Sequence, residues 1–167
     1  EIVLENINLN IESGTTLAIV GPTGSGKTTL INLITRFYEL DTGHILIGNK
    51  NIKSLDVHVL RRNIGLILQD TFLFSDSIFK NITFFTKKSK KEIQAILYEM
   101  GLIDFINSFP NGLDYQIGEG GAFLSMGQKQ LISLIRTYIS FSPIIIFDEA
   151  TSFLDSETEN LIKKSIR

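Results

Sequence analysis

The sequence feature that most constrains the fold is a run of nine residues near the start of the chain, Gly21–Thr29, with the sequence GPTGSGKTT. It matches the pattern of Gly, four residues, then Gly-Lys-Ser/Thr, which builds a phosphate-binding loop. Glycines remove side chains, so successive backbone N–H groups can form a concave nest for an anion. A helix that follows the loop points its positive end at the same anion. The pattern therefore predicts a strand, a tight loop and a helix, in that order.

The residues on either side of the loop agree with this order. Before it, Thr16–Val20 is a short apolar run suited to a buried strand. After it, apolar residues recur with helical spacing and predict one face of a helix: Leu30, Leu33, Ile34 and Phe37.

The loop predicts a site for a nucleoside triphosphate. Lys27 would reach the β- and γ-phosphates, and the Thr28 hydroxyl would take one position on Mg²⁺. The predicted nucleotide-binding residues are those of the whole loop: Gly21, Pro22, Thr23, Gly24, Ser25, Gly26, Lys27, Thr28 and Thr29.

Composition excludes several other classes of protein. The 167 residues are 43% hydrophobic, carry a net charge of −2 and include no cysteine. This is the balance of one globular domain, without a disulfide framework or a thiolate metal site. A near-neutral charge argues against a nucleic-acid partner, and no apolar run approaches the roughly 20 residues of a membrane helix. The chain begins without Met and ends within a helical pattern, so we expect the natural protein to be longer.

The rest of the chain predicts a sheet with an inserted group of helices. Alternating apolar residues in Ile2–Ile11 and the run His44–Ile47 before a Gly-Asn turn predict short strands of an antiparallel layer. Ile64–Leu68 predicts a buried strand. Between it and Tyr138 the pattern is helical, with three apolar faces: Ile93, Ile96, Leu97 and Met100; Leu102, Phe105, Ile106 and Phe109; Leu131, Leu134, Ile135 and Tyr138.

Polar and acidic residues follow two of the predicted strands. In open α/β sheets, ligands bind beyond the carboxyl ends of the strands. Gln69, after Ile64–Leu68, is therefore placed to coordinate the metal or a water, although a simple polar cap is the alternative. Asp148 and Glu149 follow the apolar run Ile144–Phe147; Asp148 would hold Mg²⁺ through its water shell, and Glu149 would be the general base. The alternative is that these acidic residues cap the N-terminus of a helix, which explains one acidic residue more easily than two.

A second helix start is rich in polar groups. Leu124–Gln128, with the sequence LSMGQ, places Ser125, Gly127 and Gln128 at the N-terminus of a helix, where an anion can bind. The alternative for this segment alone is an ordinary serine N-cap.

Taken together and in this order, the motifs resemble the nucleotide-binding domain of the ABC transporter family. They correspond to its Walker A loop, Q-loop, signature, Walker B and D-loop, which would be Gly21–Thr29, Gln69, Leu124–Gln128, Ile144–Glu149 and Ser152–Asp155. The resemblance implies an α/β fold: a P-loop NTPase (RecA-like) core with a mainly parallel sheet, a small antiparallel β layer and an inserted α-helical subdomain. We expect a single domain over 1–167, with its core about 1–69 and 139–167 and its helical subdomain about 70–138.

Two further segments, Gln69–Ile82 and Ile117–Gly121, resemble the exporter type. The resemblance implies that they contact a transmembrane domain, in the same chain or in a separate subunit, at the cytoplasmic face of the cell membrane. It also implies that two nucleotide-binding domains pair head to tail, with ATP on one Walker A loop facing Ser125, Gly127 and Gln128 of the other. Hydrolysis of MgATP would then power export.

The sequence also departs from the family pattern. Met126 stands where the signature usually has Gly, and the family's adenine-stacking aromatic residue and switch histidine are absent from these 167 residues. We therefore expect this chain alone to bind ATP weakly and to hydrolyse it slowly. Two alternatives stay open: a soluble ABC-type ATPase switch in translation or DNA repair, and a catalytically impaired ATP-binding subunit. The sequence determines neither the transported substrate nor whether the paired domains are identical.

Overall fold

The fold is taken from a computed structural model, which describes residues 3–68, 71–84 and 86–148. The predictions for Gln69, for Glu149 and for the D-loop lie outside the described residues. The chain divides into two compact units, residues 1–61 and 62–167, and each is treated by itself below. The domain boundaries inferred from the sequence stay a prediction.

The first unit begins with a long irregular segment. Residues 3–26 contain neither helix nor strand, although the sequence predicts strands at Ile2–Ile11 and Thr16–Val20. Val20 is 90% exposed, and Leu17 and Ile19 are about half exposed. An apolar run marks residues that can pair in a sheet, but a strand also needs a neighbour to which its backbone groups can bond. Within residues 3–20 the one backbone–backbone hydrogen bond runs from Thr15 N–H to the Glu12 carbonyl.

Helix α1 spans Lys27–Ile34 and is shorter than the apolar spacing predicts. Arg36 lies in the left-handed region at φ 52° and turns the chain away from the helix. The Phe37 N–H bonds back to the Asn32 carbonyl and the Arg36 N–H to the Leu33 carbonyl, the two bonds of a Schellman cap. Phe37 is consequently outside the helix and 55% exposed, so its predicted place on the helix is wrong.

Two arginines fix the segment that follows α1. Arg36 donates through Nη1 to the carbonyls of Ile52 and Leu55 at 3.0 and 2.9 Å. Arg61 donates to the carbonyls of Thr35 and Arg36, at 3.0 and 2.8 Å. The Arg61 donors satisfy carbonyls that the end of α1 leaves without helical partners.

The rest of the first unit is a hairpin followed by short helices. Strands β1 (Leu46–Ile47) and β2 (Lys50–Asn51) pair antiparallel. Gly48 and Asn49 both have positive φ, as a type I′ hairpin turn requires, which confirms the predicted turn. A 3₁₀ turn at Ile52–Ser54 leads to α2 (Val57–Arg62), which begins in the first unit and ends at Arg62.

The second unit contains a parallel strand pair. Strand β3 (Ile64–Ile67) pairs with β4 (Ile144–Phe147) in parallel, with Ile64 opposite Ile144 and Ile67 opposite Phe147. Gly65 lies so close to helix α6 that a Cβ atom there would overlap the Thr137 methyl group. The strand can therefore approach the helix only because residue 65 has no side chain.

Helices build the remainder of the second unit around one apolar core. They are α3 (Ile78–Ile82), α4 (Lys90–Glu99), α5 (Ile103–Asn107) and α6 (Met126–Ile139), with 3₁₀ turns at Gly112–Asp114 and Glu119–Gly121. The core of this unit takes in the apolar faces predicted for α4 and α5, with Ile93, Leu97, Leu102 and Ile106 all buried to within 1%. Ser89 and Glu92 form a capping box at the start of α4.

Two predictions for this unit are corrected. Helix α6 is buried on almost every side rather than on one face, and Tyr138, which was placed on that face, is 37% exposed. Such a helix lies at the centre of a unit rather than on its surface. The segment between residues 70 and 138 is also not helical throughout, because residues 71–77 form an irregular loop that is held by side chains.

Candidate functional site

The predicted phosphate loop has the backbone of an anion nest. Gly24 and Gly26 have φ of 83° and 90°, in the left-handed region that favours glycine. The Ser25 N–H donates to the Pro22 carbonyl at 3.2 Å and closes a turn between them. Gly26 comes directly before α1, and no side chain caps the first turn of that helix. An uncapped helix N-terminus beyond a glycine turn is where a phosphate binds.

Lys27 is the charged group of this loop. Its Nζ donates to the carbonyls of Gly21 and Pro22 at 2.8 and 3.0 Å, so the ammonium lies over the loop that the sequence predicts to hold phosphate. Gly21 itself has no room for a side chain, because a Cβ atom there would lie 2.7 Å from the Ser25 hydroxyl oxygen. Thr28 is exposed on the first turn of α1, where its hydroxyl can reach a metal ion. The donor set fits a triphosphate with Mg²⁺.

The start of α6 differs from the start of α1, because a side chain caps it. Ser125 is its N-cap: the Ser125 hydroxyl accepts from the Gln128 N–H at 3.2 Å, and the Gln128 Oε1 accepts from the Ser125 N–H at 2.9 Å. The structure therefore has the helix start that the sequence predicts, and Ser125 is an ordinary serine N-cap. Among the described residues, no acceptor is seen for the Ser125 hydroxyl hydrogen or for the Gln128 Nε2 donors. The capping box leaves these donors available for a ligand.

The strand pair brings Asp148 to the end of the sheet. Strands β3 and β4 end in register, and the Asp148 N–H donates to the Ile67 carbonyl at 3.0 Å. Asp148 therefore lies at the carboxyl end of both strands, the edge at which ligands bind in such sheets. The phosphate loop belongs to the first unit, whereas Asp148 and α6 belong to the second. The roles of Gln69 and Glu149 stay predictions.

The sequence analysis missed a buried polar network in the second unit. Asn81 on α3 is fully buried, and its side-chain amide makes a two-way bridge to Phe74: Oδ1 accepts from the Phe74 N–H at 2.9 Å and Nδ2 donates to the Phe74 carbonyl at 3.0 Å. Arg136 on α6 joins this network. The signal that could have found it is a lone arginine among the apolar residues of α6.

Other polar residues form no comparable site. His44 and His58 are both exposed. In residues 3–68, 71–84 and 86–148, no group of three His, Cys, Asp or Glu side chains lies close enough to hold a metal ion. Nor does any helix within these described ranges combine the length and apolar character that a membrane crossing requires.

Comparison with known proteins agrees with the motifs. The family model described as "ABC transporter" matches residues 4–152. An ATP-dependent lipid A-core flippase of Blochmanniella pennsylvanica is 44% identical over 165 residues, which cover 98% of this chain and 28% of that protein. A Staphylococcus aureus protein named as a candidate multidrug export ATP-binding/permease protein is 45% identical over 165 residues, with the same coverage.

A solved structure is similar as well. A bacterial Atm1-family ABC exporter with ATP bound superposes with a TM-score of 0.79 at 39% identity, over 87% of this chain and 26% of that one. The chain thus spans about a quarter of the length of the relatives that it matches. The similarity confirms an α/β P-loop NTPase fold. Because the family model matches most of its residues, the chain belongs to the ABC transporter family.

Proposed function

We propose that this chain binds MgATP and hydrolyses it as the nucleotide-binding domain of an exporter-type ABC transporter. The observation that carries the proposal is the phosphate loop, with two left-handed glycines, a lysine over the loop and an uncapped helix N-terminus. These are the elements that bind a triphosphate with backbone donors and one mobile positive charge.

Each predicted site residue would have its own role in the reaction. Lys27 and the backbone N–H groups of the loop would hold the phosphates, and Thr28, Asp148 and Gln69 would hold Mg²⁺, which neutralises phosphate charge when bound. Glu149 would accept a proton from the attacking water. No covalent intermediate is needed, because positioning and charge stabilisation supply most of the catalysis in phosphoryl transfer.

A second copy of the domain would complete the site. In a head-to-tail pair, the donors that the α6 capping box leaves available, the Ser125 hydroxyl and the Gln128 amide, would face the γ-phosphate of ATP held by the partner domain. Gly127 is buried and adds no side chain between the helix N-terminus and the ligand. Closure of the pair would exclude water from the reacting phosphate.

A transmembrane domain is the second proposed partner. The docking patch is defined here by Phe72, Phe74 and Phe84, which are 68%, 36% and 49% exposed. Their rings contact one another: Phe72 and Phe74 meet edge to face at 4.9 Å, and Phe74 stacks on Phe84 at 4.3 Å. Clustered exposed aromatic residues are typical of a protein interface. Phe72 and Phe74 lie in the segment that resembles exporters, and the patch supports transport at the cytoplasmic face of a membrane over a soluble switch.

The experiment compares ATP binding and phosphate release by the wild type, Lys27→Ala and Lys91→Ala. Loss of a charged donor to phosphate should weaken ATP binding roughly tenfold to a hundredfold. Lys91 is an exposed lysine of α4 with no described carboxylate partner, and its replacement is the matched control. Equal ATP affinity in Lys27→Ala and the wild type would refute the assignment of the loop.

Met126 supports one alternative, a subunit that binds ATP without turning it over. Its side chain is 42% exposed at the first position of α6, beside the predicted contact with the partner's nucleotide. Met126→Gly distinguishes the two functions. If the wild-type subunit is impaired, removal of the bulky side chain should raise its rate of ATP hydrolysis. If the wild type is active, it should already hydrolyse ATP before the substitution.

A further inference from the structure

The signature helix α6 is tied to the docking patch by one arginine side chain. Arg136 donates through Nε to the Asn81 carbonyl at 2.8 Å and through Nη2 to the Asn81 Oδ1 at 3.2 Å. Its Nη1 donates to the Phe72 carbonyl at 3.2 Å. One guanidinium therefore bonds both to α3 and to the loop at residues 71–77. A planar fork of five donors can do this, whereas a lysine ammonium cannot span the same acceptors.

The acceptors around Arg136 are all neutral. No carboxylate forms an ion pair with this guanidinium among the residues that the structure describes. Burial lowers the pKa of Arg136 from its ordinary value. A charge that is partly removed from water and not compensated by an acid costs stability. The geometry that Arg136 imposes on its neighbours therefore explains this residue better than a contribution to the stability of the fold.

The network extends from Arg136 through Asn81 to the whole loop. The Asn81 amide fixes the backbone of Phe74 on both sides and also donates to the Ser77 carbonyl at 3.1 Å. The loop is held on its other flank as well, because the Ile78 N–H donates to the Tyr115 carbonyl and the Ile117 N–H to the Asp76 carbonyl. A loop without regular structure is thus bonded to elements on both sides of it.

We propose that Arg136 and Asn81 are positioning residues that hold the loop at residues 72–77 to the signature helix α6, so that the docking patch and the start of α6 move as one body. The proposal rests on the proposed function, because it assumes that a membrane domain binds the docking patch and that a paired domain binds at the start of α6. A membrane domain that moves the patch would move Ser125 toward or away from the nucleotide of the paired domain. Neither residue touches ATP in this arrangement.

The test uses the complete protein that contains this chain and compares Arg136→Gln with the wild type by amide hydrogen exchange. Exchange at residues 72–77 should become about tenfold faster, since these amides lose the side chains that hold their loop. Exchange in α4 should stay the same. Arg62→Gln is the matched control, because Arg62 is exposed and its side chain makes no hydrogen bond or ion pair among the described residues. Arg136→Lys keeps the charge, and should loosen the loop less while leaving the fold intact.

ATP hydrolysis by the same variants gives the second readout. Since the phosphate loop is untouched, KM for ATP should stay within about twofold in Arg136→Gln, while kcat falls at least fivefold. Arg136→Lys should recover part of the lost kcat. A merely structural role would not separate kcat from KM in this graded way.

Unchanged exchange at residues 72–77 in Arg136→Gln would overturn the proposal. A uniform rise in exchange across both the loop and α4, in both Arg136 variants, would also overturn it, because it would show a general packing role. If the wild-type protein neither binds nor hydrolyses ATP, the proposed function fails instead, and the exchange experiment still decides whether Arg136 holds the loop.

Discussion

The contact between Gly65 on β3 and Thr137 on α6 allows a quantitative test of how the second unit is packed. Gly65→Ala introduces a Cβ atom that would overlap the Thr137 Cγ2 and would lie 3.3 Å from the Thr137 and Ser142 Cβ atoms. Both elements are held, β3 by its pairing with β4 and α6 by burial on almost every side. The overlap can therefore be relieved only by moving the helix or the strand.

Overpacking of this kind costs about 1–3 kcal/mol. The change from Gly to Ala recovers roughly 0.5–1 kcal/mol, because alanine loses less backbone freedom on folding. The net expectation for Gly65→Ala is a destabilisation of about 1–2 kcal/mol. Thr137→Ser removes only the methyl group with which the new Cβ collides, so it should cost about 1 kcal/mol by itself and should rescue Gly65→Ala.

The assay is a double-mutant cycle, with the free energy of unfolding measured in urea by circular dichroism. The double variant should be more stable than the sum of the two single effects predicts, by about 1 kcal/mol or more. Tyr98→Phe, on helix α4 and 77% exposed, is a control that lies outside the strand pair and outside α6. Additivity within about 0.3–0.5 kcal/mol would refute the reasoning, since it would show that the two sites do not interact.

Three further predictions follow from single residues. Phe141 has φ 52° and is 71% exposed, so Phe141→Gly should stabilise the protein by about 1 kcal/mol in thermal or urea unfolding, even though it removes the contact of the ring with Lys88. Hydrogen bonds from the side chain and backbone of Ser89 lower the pKa of Glu92 from its ordinary value of 4.5. Since a lowered carboxyl pKa adds stability above its unfolded value, the advantage of the wild type over Glu92→Gln should be present above about pH 5 and be lost as the pH falls through the folded pKa; an advantage that grows in acid would contradict this. Glu149→Gln should trap ATP and a dimer in a complete domain, as measured by gel filtration with nucleotide, and unchanged turnover would remove Glu149 as the base.

Local sequence patterns predicted much of the second unit. The apolar spacing of Ile93, Ile96, Leu97 and Met100 predicted a helix, and the structure has helix α4 there. The apolar run Ile144–Phe147 predicted β4, and its parallel pairing with β3 confirmed the expected sheet edge at Asp148. These predictions succeeded because their physical causes lie within a few residues: caps, turns and periodicity act between near neighbours in the chain.

The predictions that failed depend on what a residue meets far along the chain. Thr16–Val20 has the composition of a strand but no pairing partner among the described residues. Phe37 leaves its helix because Arg36, which is bonded to the distant carbonyls of Ile52 and Leu55, adopts a left-handed turn. Tyr138 shares the spacing of the buried residues of α6 yet is exposed. A helical period does not encode which positions of the helix the rest of the fold covers.

The order of its motifs by itself determined the family of this chain and the chemistry of its phosphate loop, since a triphosphate needs glycines, a lysine and a hydroxyl at fixed spacing along one short segment. Only the tertiary structure decided that Arg136, 55 residues from Asn81, would bond to it. Hydrogen bonds between residues so far apart in sequence depend on how helices pack, and packing is a property of the folded chain as a whole.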